Sequence, residues 1–147
     1  MKLLKPSIVF FIGCFVFNNL ALAETVNITG TAYGSTISTE ETELSDGNFK
    51  YNNLDHSIWV QEGMPEGYPS MASADCRTTG LRSSDYVNLG SSWTCTITDI
   101  DGDGFINVGS DVKPDWSGCN YETVAGWGKY AGISQSGSCA FAGNISA

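Results

Sequence analysis

Positive charge, histidine and long apolar runs are all scarce in this chain, and each shortage excludes something. Seven Lys and Arg stand against 16 Asp and Glu in 147 residues. Binding to nucleic acid depends on basic side chains that neutralise phosphates, and anionic membrane surfaces attract the same groups. Neither partner is expected. His56 is the single histidine, and no two cysteines have the two-residue spacing of a zinc knuckle, so a Cys/His zinc site is excluded. Asp55-His56-Ser57 is adjacency in sequence, not triad geometry, and no Gly-x-Ser-x-Gly elbow is present. His56 is read as structural or exposed, and no catalytic residue is assigned.

The one sustained apolar run lies at the start. Lys2 and Lys5 precede Ile8–Phe17, and Ala21-Leu22-Ala23 closes the stretch in the small-x-small form that a signal peptidase accepts. The run is too short to span about 30 Å of hydrocarbon, and Cys14 is followed by Phe15, not by the small residue that a lipidated cysteine needs. Residues 1–23 are therefore expected to be a signal peptide. The remaining 124 residues, 24–147, suit one secreted or periplasmic domain with no membrane insertion after cleavage. Removal of Lys2 and Lys5 leaves five basic against 16 acidic residues, a net charge of −11. Solubility explains that surplus.

Four cysteines remain: Cys76, Cys95, Cys119 and Cys139. An even number in an exported chain reads as two disulfides, with three possible connectivities. Cys76–Cys95 and Cys119–Cys139 are favoured, because each closes a loop of about twenty residues and each pair can sit on neighbouring strands. Such closures stabilise a domain by about 3 kcal/mol each in the chain-entropy view.

Glycine takes 16 of the 124 residues, so no dozen residues sustain an apolar helical face. Short β-favouring runs recur instead, at 25–33, 49–51, 57–61, 86–89, 93–100, 104–108, 120–125 and 138–142. Val26/Ile28, Trp93/Cys95/Ile97 and Tyr121/Thr123 alternate with polar neighbours, as a sheet with one buried face requires. The fold class is all-β: about eight strands in an antiparallel barrel, with a β-sandwich as the rival. Glu40-Glu41-Thr42-Glu43 is read as a solvated face, and Gly63–Pro69 as a connection.

"DIDGDGFIN", residues 99–107, places carboxylates at Asp99, Asp101 and Asp103, then Gly104, the Phe105 carbonyl and Asn107. These fill positions 1, 3, 5, 6, 7 and 9 of a calcium loop of the helix-loop-helix type. Position 12 is Ser110, where a bidentate Glu belongs. "TCTIT" before the loop reads as a strand, and Lys113-Pro114 after it cannot begin the exiting helix. A hairpin turn with Asp101-Gly102 and Asp103-Gly104 at the positive-φ positions is preferred. A lone, weak calcium loop between two strands is the alternative, since three clustered carboxylates repel unless a cation separates them. No cofactor is otherwise expected.

"SWTCTITDIDGDG" followed by "GWGKYAGISQSG" resembles small exported bacterial proteins of the allene-oxide-cyclase-like, dirigent-like β-barrel group. The likeness spans residues 92–141, with Trp127 and Gln135 where Thr and Gly are commoner. It implies an eight-stranded antiparallel barrel with a central cavity, and no catalytic residue carries over.

A small barrel's interior holds either packed side chains or one small ligand. Trp59 and Trp93, on strands, and Trp127 and Tyr130, in the glycine-rich stretch, are the candidate lining of such a cavity. The preferred function is the binding of a small apolar molecule there. A cyclase- or isomerase-type enzyme is the second reading, and a structural or surface interaction protein with a calcium-stiffened Asp loop the third. An open apolar cavity favours the first, a convergent Glu/Tyr/His set the second, and an interior filled by side chains the third.

Overall fold

The computed structural model describes residues 25–140. The signal-peptide reading and the far end of the last expected strand lie outside them. Seven strands run in chain order: β1 Thr29–Glu43, β2 Phe49–Glu62, β3 Met71–Arg82, β4 Asn88–Asp99, β5 Gly104–Ser110, β6 Cys119–Trp127 and β7 Ser136–Cys139, with a single 3-10 turn at Gly128–Tyr130. They form one sheet in the order β1-β2-β3-β4-β5-β6-β7, every pair antiparallel. The all-β class is present, with one sheet and therefore no sandwich. The sheet is open: among the described residues β1 and β7 do not pair, and the strands number seven, not eight.

The strand list differs from expectation for physical reasons. Residues 49–51 and 57–61 belong to one strand, because Asn52 to His56 pair with both neighbours, without interruption to β3 and with one bulge in β1, between Thr36 and Ser38, opposite Leu54 and Asp55. Met71–Arg82 was not anticipated as a strand. Its inward positions carry Ala72, Ala74 and Cys76, too small and too mixed to give an apolar alternation, yet Ala72 and Ala74 are buried.

Both disulfides form with the expected pairing, Cys76–Cys95 and Cys119–Cys139. In each case the two cysteines are directly opposed cross-strand partners. Two disulfides fit an oxidising compartment. No helix among the described residues is long and apolar enough to cross a membrane.

One face of the sheet is the core. Ala72, Ala74, Cys95, Ile97, Phe105 and Tyr130 are buried there, with Trp59, Trp93, Met64, Tyr68 and Ile133 packed against them. Met64 and Tyr68 come from the β2–β3 connection, Tyr130 and Ile133 from the β6–β7 connection, so two loops close over the face. Glycine opposite an aromatic recurs across this sheet. Trp93 is opposed by Gly109, Tyr51 by Gly80 and Tyr121 by Gly137. A Cβ at Gly109 would fall inside the Trp93 indole, and one at Gly80 would lie 2.6 Å from the Tyr51 hydroxyl. The missing side chain lets each ring lie across the facing strand, the aromatic rescue of glycine known from β-sheets.

Candidate functional site

The three aspartates form the β4–β5 turn. Gly102 N–H donates to the Asp99 carbonyl at 3.1 Å, Asp99 N–H donates to the Asp103 carbonyl at 2.9 Å, and Gly102 takes a positive φ of 84°. Asp99 organises the turn from inside. Its Oδ1 accepts the N–H of Asp101 at 2.8 Å and of Asp103 at 3.2 Å, and its side chain has no solvent exposure.

The cation between these carboxylates is Lys129. Its Nζ stands 3.1 Å from Asp99 Oδ2, 2.5 Å from Asp101 Oδ2 and 4.0 Å from Asp103 Oδ2. Its backbone N–H also donates to Asp103 Oδ2 at 3.3 Å. The preceding Gly128 has φ 61°, and a Cβ there would strike the Asp103 carboxylate. Only glycine lets the chain bring Lys129 this close. The aspartates hold the lysine pKa well above its ordinary value, Asp101 first by hydrogen bonding. Burial pushes the Asp99 carboxyl up, but the Lys129 ammonium and the two backbone N–H groups outweigh it and hold the pKa below the usual range. Tyr130, buried beneath Lys129, is pushed up to about 12 by desolvation and then by the Asp99 charge. The signal that could have located Lys129 was present: three carboxylates need a cation, and this chain has few.

The remaining candidate metal ligands do not join the aspartates. Phe105 and Asn107 lie within β5, on its core face. Asn107 Oδ1 accepts from the Thr123 hydroxyl at 2.6 Å, while its Nδ2 has no partner. Among the described residues no group of three or more His, Cys, Asp or Glu is arranged to hold a metal ion.

The candidate ligand-lining residues divide. Trp59 and Trp93 share the core face, as their strand positions imply. Tyr130 fills that face, with its ring 5.1 Å from Phe105 and 5.2 Å from Tyr68, whose hydroxyl donates to the Lys129 carbonyl at 3.0 Å. Trp127 lies on the opposite face, over Gly104, and donates to the Gly102 carbonyl at 2.9 Å. The four do not surround one space.

Two further polar groups were not anticipated. At the opposite end of the sheet, Arg82 makes a two-pronged pair with Glu41 at 2.9 and 2.7 Å, between the rings of Phe49 and Tyr86 at 4.3 and 4.2 Å. This ties the C-terminal half of β1 to β3 across β2. On the outer face, His56 Nδ1 and Asp75 Oδ1 are 2.8 Å apart and well exposed. Ser35 is opposite His56 in register, but among the described residues no hydrogen bond joins them. No family model, curated protein or solved structure matches the chain.

Proposed function

We propose that the protein is an exported all-β interaction module that works through the edge of its sheet. The observation that carries this reading is β1: 15 residues, every one exposed, at the end of the strand order. Among the described residues no strand pairs with its outer side, which at about 3.4 Å per residue offers some 50 Å of backbone donors and acceptors, a ready template for another strand. The core face is filled by Ile97, Phe105 and Tyr130 side chains, which favours surface interaction over an apolar ligand or cyclase chemistry. Lys129 takes the stiffening part that the third reading gives to calcium in the Asp-rich turn. A barrel of the allene-oxide-cyclase-like group would close along the same β1 edge. Strand addition from outside the sheet satisfies that edge in another way.

Native mass spectrometry of the protein from its own exported fraction tests this reading. A mass corresponding to the chain plus another polypeptide is expected, and it should be lost in Tyr33→Lys, which places a charge on the edge. An increment matching one small apolar molecule, retained in that variant, would overturn the proposal in favour of a carrier.

A further inference from the structure

The two halves of β1 differ. The residues that follow the β-bulge between Thr36 and Ser38 include Glu40, Glu41 and Glu43, and bulges and charges are how native edges discourage pairing. Glu41 is further engaged by Arg82. The first half, Thr29–Thr36, has none of these devices: no charge, no proline and no bulge. Its outward side chains adjoin apolar ones. Tyr33, 65 % exposed, is opposite Ile58, while Thr31 is opposite Val60, which in turn faces Met71. Ile58, Val60 and Met71 are all exposed. An unprotected edge thus runs beside an exposed apolar patch.

Resting on the interaction reading above, we propose that the partner of this edge is a second copy of the chain, paired antiparallel through Gly30–Thr36 about a two-fold axis at Tyr33. An antiparallel pair keeps opposed residues on the same face, so residue numbers in register must differ by an even amount. An axis at Tyr33 meets that condition and sets Gly30 against Thr36, Thr31 against Ser35 and Tyr33 against Tyr33 of the second copy. The two rings then lie side by side between the two Ile58 side chains, the kind of cross-strand aromatic and β-branched row that stabilises sheets. The symmetry also settles the charges. Glu40, Glu41 and Glu43 of each copy fall beyond the start of the other's β1, and never against the same three glutamates of the other copy. Each copy contributes the same patch, as an isologous dimer requires. The net charge of each chain opposes the approach, so the association should strengthen as salt screens it.

Sedimentation of the purified, oxidised protein across micromolar to submillimolar concentrations reads the association. A monomer–dimer equilibrium favoured by salt is expected, weakened by roughly tenfold or more in Tyr33→Lys. A Tyr33→Cys variant should give an intermolecular disulfide under mild oxidant, since opposed strand positions lie within disulfide reach. Glu40→Cys, on the same edge beyond the axis, should not. A monomer at every concentration, a dimer indifferent to Tyr33→Lys, or equal cross-linking at residue 40 would each overturn the pairing. A monomer in isolation that still carries another polypeptide in the native mass spectrum overturns the second copy but not the edge reading. A monomer in both overturns the two together.

Discussion

Alanine at Asp99 should cost this fold far more than alanine at Asp101, although both are aspartates of one turn facing one lysine. The Asp99 side chain is fully buried, whereas 61 % of the Asp101 side chain is exposed. Asp99→Ala deprives the N–H groups of Asp101 and Asp103 of their acceptor, and a hydrogen bond to a charged group is worth about 1.5–3 kcal/mol net. The two bonds share one oxygen and are not additive, so a loss of roughly 2–4 kcal/mol is expected on that basis. For a domain of this size that lowers Tm by roughly 10 °C or more. Asp101→Ala removes one exposed ion pair and no backbone acceptor, and its Tm should stay close to that of the native protein. Asp99→Asn keeps Oδ1 and a turn-compatible backbone, so it should recover a good part of the loss. Differential scanning calorimetry of the three variants in calcium-free buffer decides. Equal losses at residues 99 and 101 would refute the reasoning, because they would mean that the carboxylates act as a set, as the ligands of a metal loop do.

Gly109→Ala should destabilise by about 1–3 kcal/mol, as overpacking does, because its Cβ meets the Trp93 indole; chemical denaturation with unchanged m-value checks it. Stability should also fall at both extremes of pH. The depressed Asp99 pKa gives a contribution present above the ordinary Asp value and lost as pH drops through the folded one, below about pH 4; Asp99→Asn should flatten that acid limb. The Tyr130 hydroxyl, raised to about 12, keeps its proton where an unfolded tyrosine loses it. Stability therefore declines from about pH 10 to 12, and because the raised Lys129 pKa adds a loss of the same sign, Tyr130→Phe should make this decline shallower without removing it in a Tm-against-pH series. Lys129→Met leaves three aspartates without their cation, so millimolar calcium should raise the Tm of the variant and not of the native protein. A calcium-dependent rise in the native protein would show that the lysine yields its place.

Much of this architecture was legible where a local rule speaks alone. The cysteine pairing follows from spacing, and 19 and 20 residues of separation each fold into one hairpin. The Asp-rich turn was legible as a turn because Asp101-Gly102 supplies its positive-φ residue, whereas Gly104, expected to share that part, opens β5 instead. Trp59 and Trp93 lie on the core face because their strands alternate. Other features were hidden because they depend on two distant segments. β3 buries alanines, which carry no apolar signal. Trp127 reads like its fellow tryptophans, yet the register of β5 with β6 places it over Gly104 on the other face. Lys129 follows the last of the aspartates by 26 residues and meets them only because β6 returns beside β5.

The charge surplus acquires a meaning from where its counter-charges stand. Arg82 and Lys129 occupy opposite ends of the sheet, and each binds an acidic side chain that would otherwise repel its surroundings. Arg82 neutralises Glu41, but Glu40 and Glu43 stay in solvent on the C-terminal half of β1. That half therefore stays repellent to a further strand, while Thr29–Thr36 carries no charge of either sign. A uniform distribution of the same acidic residues along β1 would have shielded the whole edge. The uneven one leaves the stretch from Thr29 to Thr36 open, beside Tyr33, Ile58 and Val60, and it is this unevenness, more than the length of the strand, that points to pairing at one defined position. Moving the charge is then a sufficient test of the principle: Ser35→Glu, at an exposed position outside the core, should leave Tm nearly unchanged and yet remove self-association.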